Sequence, residues 1–177
     1  MSDYSKPQSL HTERLRLRQV TFDDAPFILS LVNDPDWLRY IGDKGVSDME
    51  SARGYIEKGP MQQYQQHGHG LMLVELASTQ EPLGLCGILK RDTLPQPDLG
   101  FAFAAHARGK GYALEAANAV LRVAKADNHQ EVLAICLPEN HRSIGLLEHC
   151  GFAFRSTYQA KAEDPVLSLY AWCAEQK

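Results

Sequence analysis

The segment Asp98-Leu-Gly-Phe-Ala-Phe-Ala-Ala-His-Ala-Arg-Gly-Lys-Gly-Tyr-Ala113 constrains this chain more than any other. Its first half is apolar and reads as a strand, and its centre is a short turn with two glycines. After the turn, Ala113, Ala116, Ala117, Val120 and Ala124 recur at helical spacing. A strand that enters a helix through such a turn belongs to a sheet-and-helix architecture. The first N–H groups of that helix have no intrahelical acceptor, and the helix dipole adds partial positive charge there. Gly109 and Gly111 allow close approach of a ligand, and Arg108 and Lys110 add charge, so the turn reads as a cradle for phosphate or pyrophosphate. It is not a Walker A loop, because Ala104 and Gly111 stand where Gly and Ser or Thr are required. Nor is it a complete dinucleotide fingerprint, because Leu114 stands where the third Gly belongs. On spacing alone, a plain structural turn is the alternative.

The remaining chain fits one mixed sheet with helices on its faces. At 177 residues it is one domain, over residues 10–177, preceded by a polar and mobile tail at 1–9. Thr12–Val20 alternates apolar and charged residues and predicts a strand. A helix follows over 24–33, stopped by Asn33-Asp-Pro35, and a second starts at the capping box Ser47-Asp-Met-Glu50. That second helix runs to about Gln66, with a kink at Gly59-Pro60. Leu71–Leu76 and Pro82–Leu89 read as a hairpin, and Asp98–Ala104 as the next strand. Val132–Cys136 is a short buried strand, and Phe152–Tyr158 and Val166–Cys173 close the chain. Between them lies a helix from Asn140 to Cys150, with Gly151 as its stop. Asn140 is a natural N-cap, and Ser143 falls in the first turn, facing whatever occupies the helix mouth.

Composition excludes several classes. Lys plus Arg is 18 and Asp plus Glu is 22, a net charge of −4, whereas a general nucleic-acid binder carries a basic excess. The same charge favours cationic acceptors in a general way. No apolar run approaches the ~20 residues needed to cross a bilayer, and the first nine residues hold no apolar signal region. Cys86, Cys136, Cys150 and Cys173 form no C-x-x-C pair, so the expectation is four reduced, buried thiols in a cytoplasmic protein, with no zinc site. His67-Gly-His69 is a lone pair and is not read as a metal site. His106, His129, His141 and His149 fall in loops or on helix faces, and no catalytic histidine is expected among them.

Together the segments resemble the GNAT superfamily of acyl-CoA N-acyltransferases. Arg108-Gly-Lys-Gly111-Tyr-Ala113 matches the family's Q/R-x-x-G-x-G/A motif, and Asn140-x-x-Ser143 with Gly151-Phe152 matches its second motif. Thr12-Glu-Arg-Leu-Arg-Leu-Arg18, Asn33-Asp-Pro35 with Arg39-Tyr-Ile-Gly42, and Gly111-Tyr-Ala-x-Glu115-Ala116 resemble the branch of ribosomal-protein N-terminal (Rim-type) acetyltransferases. The resemblance spans residues 10–174. It implies an α/β (α+β) fold with a mixed, mostly antiparallel sheet of about seven strands, helices on both faces, and two central strands that splay apart at a bulge.

The resemblance also implies a function: acetyl-CoA as acyl donor, a primary amine as acceptor, and direct attack of the amine on the thioester. The backbone of Phe101, Ala102 and Phe103 would meet the pantetheine arm. The amides of Arg108, Gly109, Lys110, Gly111, Tyr112 and Ala113 would hold the pyrophosphate, and Asn140 and Ser143 would lie near the thioester end or the pantetheine. Arg142 is expected to be exposed, with a reach toward a CoA phosphate as the alternative. Asp98 stands where relatives often carry a Glu, and could serve as a base through water or simply be a solvated strand-end carboxylate. Glu115 is read as a structural or helix-dipole partner. Trp37, Arg39, Tyr40, Tyr64 and Tyr158 are candidates for the acceptor pocket. One departure stands out: many relatives carry a Tyr seven residues after the Asn as general acid, and here that position is Leu147. Ser143 is then the residue left to bond the sulfur or to order a water. The missing Tyr motivates a second reading, an acetyl-CoA-binding or sensing module without turnover. Sequence leaves the acceptor's identity open, and a monomer and a homodimer are equally compatible with it.

Overall fold

The computed structural model describes residues 9–175. The alternation after Thr12 becomes strand β2 (Leu15–Gln19), with Leu15 and Leu17 fully buried. Arg16 and Arg18, on the other face, both reach the buried Glu75, and Arg18 also forms a 2.9 Å pair with Asp24. Then come α1 (Ala25–Val32), α2 (Pro35–Tyr40), α3 (Met49–Ile56) and α4 (Gln62–His67). Strands β3 (Leu71–Leu76), β4 (Pro82–Leu89) and β5 (Asp98–Phe103) follow as a meander. The last third is α5 (Tyr112–Ala126), β6 (Glu131–Cys136), α6 (His141–His149), β7 (Ala153–Tyr158) and β8 (Leu167–Cys173).

The sheet has eight strands in the order β1-β2-β3-β4-β5-β6-β8-β7, antiparallel throughout except for β5 and β6. The expected count of seven misses β1 (Ser9–His11), which pairs with Arg16–Arg18 of β2. Three residues carry too little pattern to be read as a strand, and their partner supplies the order. Of the expected tail, Ser9 opens β1, and residues 1–8 lie outside the described ones.

Two further expectations change. Asn33-Asp-Pro35 does stop α1, but it also starts α2: Asp34 is the N-cap, accepting from the Asp36 N–H at 3.0 Å, and Pro35 occupies the first turn. The capping box of α3 sits one residue on from the predicted one, between Asp48 and Ser51. Gly59-Pro60 falls in a single π-helical turn, Glu57–Met61, that joins α3 to α4.

Apolar side chains pack on both faces of the sheet. One cluster joins Val74, Leu83 and Cys86 to α5 and α6 through Ala116, Ala117, Val120 and Leu147. The other joins Leu73 and Leu85 to α1, α2 and α3 through Ile28, Leu31, Trp37 and Ile56. Neighbours Leu73 and Val74 fall in opposite clusters, as period two requires. Among the described residues no helix is long and apolar enough to cross a membrane. The four cysteines are free, but only Cys86 and Cys150 are buried, while Cys136 is half-buried and Cys173 exposed. Cys173 ends β8 with its side chain on the solvent side of the alternation, which corrects the expectation of four buried thiols.

Candidate active site

The site is built on one break in the sheet. β5 and β6 run parallel and pair only at Asp98 with Leu133, next to a 2.9 Å bond from the Leu133 N–H to the Pro97 carbonyl. Both strands continue for several residues beyond that point, unpaired with each other. On its other edge β5 is laddered to β4 without a register shift, from Leu89–Asp98 to Gly84–Phe103. The central strands therefore splay as expected, but the β4–β5 ladder holds no bulge. The opening arises because β6 leaves, paired along its whole length to β8.

Parity decides what β5 offers to the wedge. The Ala104 N–H donates to Leu83 at 2.9 Å, so Ala104, Ala102 and Gly100 direct their backbone groups to β4. Leu99, Phe101 and Phe103 direct theirs into the wedge. Ala102 thus presents only its methyl group to the cavity. The Phe103 carbonyl is taken by the Arg108 Nε–H at 3.1 Å, leaving its N–H.

The turn after β5 opens α5 with Gly109 and Gly111 at φ +75° and +80°. At such angles side-chain-bearing residues are strained, and here they turn consecutive amides the same way. Gly109, Lys110 and Gly111 donate no backbone hydrogen bond to any described residue. Tyr112, Ala113 and Leu114 follow as the first turn of α5, which has no side-chain cap. Six adjacent N–H groups, from Gly109 to Leu114, are therefore free at the start of α5, and all of these residues but Lys110 line the cavity.

Two ion-pair systems fix this cradle. Glu115 accepts from the Thr12 hydroxyl at 2.5 Å, the Arg14 N–H at 3.1 Å and the Arg14 Nε at 2.8 Å. Arg14 also bonds the Lys110 carbonyl at 2.9 Å and lies over the Tyr112 ring. Burial alone would raise the Glu115 carboxyl, but the bonds from Thr12 and Arg14 outweigh it and hold the group below its ordinary value. The second system corrects a sequence expectation. The Arg108 guanidinium does not add free positive charge to the cradle, because it bonds Asp36 at 2.8 Å and Asp34 at 3.0 Å. Its N–H is also taken, by the Ala105 carbonyl at 3.3 Å, so the expected Arg108 amide is not free for the anion, and its side chain latches α2 to the turn. Arg142 is exposed and joins the same latch, 3.2 Å from Asp36.

Across the wedge, Asn140 caps α6 by accepting from the Ser143 N–H at 3.3 Å. The Ser143 hydroxyl has no partner among the described residues and lies on the cavity wall. Leu147 packs in the core with 1% exposure and lies at the inner wall of the same cavity.

The floor of the wedge is Asp98. It is not a solvated carboxylate: it is 1% exposed, and the Arg91 Nε bonds both its oxygens at 3.0 and 3.1 Å. Burial raises its pKa, and Arg91 only partly opposes this. Of the acceptor-pocket candidates, Trp37, Arg39 and Tyr40 line the cavity. Tyr64 does not: its hydroxyl donates to the Leu71 carbonyl and accepts from the Val20 N–H, and burial pushes it up to about 12. Tyr158 reaches the Thr93 carbonyl at 3.3 Å, away from the wedge. Arg14, Arg91, Lys44, Tyr55 and Lys58 are the site residues that sequence reasoning missed. The cavity that all of these but Arg14 line together with the turn has a volume of about 940 Å³.

The site is thus a parallel strand pair that opens beside a helix N-terminus with free amides. The family follows from sequence comparison. The sequence profile of the acetyltransferase (GNAT) domain matches residues 14–153, so this chain belongs to the GNAT family and is an acyltransferase. YkkB of Bacillus subtilis strain 168 is 32% identical over 154 residues, covering 84% of this chain and 87% of that protein. The crystal structure of an acetyltransferase from Agrobacterium tumefaciens strain C58 is 28% identical, covers 96% of both chains and superposes with a TM-score of 0.79. RimL, a ribosomal L7/L12 α-N-protein acetyltransferase solved in complex with coenzyme A, shares the fold. It is 16% identical, with a TM-score of 0.78 over 92% of this chain and 95% of that one.

Proposed function

We propose that this chain is an acetyl-CoA-dependent N-acetyltransferase that acts in the cytoplasm on a primary amine, either a protein N-terminus or a small molecule. The observation that carries the reading is the wedge itself: β5 has an outward-facing backbone edge that ends in six unpaired amides. An extended amide-bearing arm fits the first, and a pyrophosphate fits the second. Acetyl-CoA supplies, when bound, an activated acyl carbon and a thiolate leaving group.

This chain's own groups then divide the work. The amides of Gly109–Leu114 hold the anion, the Arg108 N–H being taken by the Ala105 carbonyl, and Phe101 and Phe103 present backbone groups to the arm. A wedge N–H of β5 is positioned to stabilise an oxyanion. The Ser143 hydroxyl, at the mouth of α6, serves as the hydrogen-bond donor to sulfur. Its own acidity is too low for general acid work. Asp98, with its raised pKa, accepts a proton from the incoming ammonium through water. The load on such a base depends on the acceptor. A lysine-like amine costs about 4–5 kcal/mol to deprotonate at pH 7, and an α-amine near pKa 8 only about 1.4 kcal/mol.

The test is free-thiol release from acetyl-CoA with pooled acceptors: peptides with free α-amines, amino acids, polyamines and amine-bearing antibiotics. Acceptor-dependent release in one pool is the expected result. Tight acetyl-CoA binding with no release in any pool would overturn turnover as the function.

A further inference from the structure

The acceptor end of the cavity has a charge opposite to that of the whole chain. Three carboxylates reach the cavity wall, and each is already paired: Asp34 and Asp36 with Arg108, and Asp98 with Arg91. Against them stand cations that face no carboxylate among the described residues. Lys44 comes from the loop between α2 and α3, Lys58 from the π-helical turn, and Arg39 from the end of α2. Arg91 adds to them. It holds Asp98 through Nε alone, so both of its Nη groups have no acceptor among the described residues, and its side chain is 44% exposed. Lys44 lies close enough to feel the charge of Arg91. Burial first, and then that charge, hold its ammonium below the ordinary lysine value.

Arg91 is remote from the pyrophosphate cradle, and Lys44 lies with Arg91. Asp98 and Arg91 mark the start of β5 and the cradle follows its end, a separation on the order of 17 Å for six extended residues. Arg91 is therefore not part of the cradle. One more unpaired donor lines the cavity, on α2. Trp37 is 5% exposed, lines the cavity, and its Nε1–H is the buried side-chain polar atom without a partner among the described residues. A buried N–H left unpaired costs free energy that a ligand oxygen would recover. The free planar fork of Arg91 matches a carboxylate or phosphate, and two neighbouring cations disfavour a polyamine.

We infer that the acceptor is a small amine that itself carries an anionic group, a carboxylate or a phosphate, seated against Lys44 and Arg91 at the foot of β5. This rests on the acyl-transfer reading above and deepens it. The anion would fix the amine over the wedge floor. The same positive surroundings would favour the neutral amine that the reaction needs. A global charge of −4 pointed toward cationic acceptors, and the local arrangement reverses that expectation.

The experiment compares matched acceptors with the wild-type protein and Lys44→Gln. β-Alanine against β-alaninamide tests the carboxylate, O-phosphoethanolamine against ethanolamine tests the phosphate, and spermidine is the cationic case. Each is measured twice: by thiol release from acetyl-CoA, and by calorimetric binding to the coenzyme A complex, which needs no turnover. The expected result is a preference of about tenfold or more for one anionic member of a pair, the size of one charge-assisted contact. Lys44→Gln should remove most of that preference by raising the acceptor KM and leave the acetyl-CoA KM unchanged. Lys44→Arg should restore it. Transfer to neutral or cationic amines with equal efficiency overturns the inference and leaves the transferase intact. Lys44-dependent binding of the anionic amine without transfer supports the inference and overturns turnover. Neither binding nor transfer overturns both.

Discussion

Replacing Gly111 with Asp and with Asn separates the two properties of the cradle, its shape and its charge. Gly111 has φ +80°, and a side chain there costs about 1–2 kcal/mol of backbone strain, somewhat less for Asn and Asp. The new Cβ would meet the Arg14 Nη2 at 3.3 Å, the far end of a side chain that can give way. Both variants should therefore fold, with Tm lowered by roughly 2–8 °C for a domain of this size. Charge then distinguishes them. A carboxylate about 5 Å from a bound phosphate repels it by about 1–3 kcal/mol, for an effective dielectric between that of water and that of a protein surface. That predicts acetyl-CoA binding roughly five- to 150-fold weaker for Gly111→Asp than for Gly111→Asn. Calorimetric titration at low and high salt measures the gap, which should narrow as salt screens it. Equal affinities for the Asp and Asn variants, with both folded, would refute an anion at this helix mouth.

Other substitutions test the remaining parts. Asp98→Asn should lower kcat by about 10²–10⁴ and abolish the acid limb of the pH–rate profile, which in the wild type should lie above the ordinary Asp range. Because the folded pKa of Asp98 is raised, its contribution to stability is complete below about 3.8 and is lost as pH rises through the folded value. Chemical denaturation should accordingly find Asp98→Asn gaining on the wild type as pH rises. Glu115→Ala strands Thr12 and Arg14 and should cost about 1–3 kcal/mol, read as a lower Tm and weaker acetyl-CoA binding. Its folded pKa is depressed, so the stability difference from wild type should be full above about 4.5 and shrink as pH falls through the folded value. Leu147→Tyr puts the family's usual general acid into a packed core and should cost about 1–3 kcal/mol without faster thiol release. A gain in kcat with an unchanged Tm would show that a Tyr at 147 fits the cavity wall and serves as general acid.

Much of this was legible from local pattern. Period two in β2, helical spacing after Gly111, and the Asn140 cap all reflect interactions within a few residues, and sequence carries those directly. What escaped was non-local. β1 has only three residues and owes its order to β2. Arg14 and Glu115 meet across 101 positions, and the fate of Arg108 depended on α2, whose N-cap looked like the end of the preceding helix. Asp98 could be placed at a strand end by pattern, but its burial depends on Arg91 folding back across a Pro-rich link. Lys44, Lys58 and Arg39 come from separate elements, a loop, a π-helical turn and a helix end. No window of sequence shows that they line one cavity.

The single β5–β6 pair makes the sheet a seam between a five-stranded half and a three-stranded half. A ligand bonded along the wedge edge of β5 becomes a structural member that carries load where the ladder stops. The substrate would then be a stabiliser as well as a reactant, adding about 2.7 kcal/mol at a concentration one hundred times its Kd. Amides lining the seam, around Phe101 and Ile135, should exchange their hydrogens faster than the core of either half and slow sharply once acetyl-CoA is added. Mechanical integrity of the molecule would then track the metabolic supply of its donor.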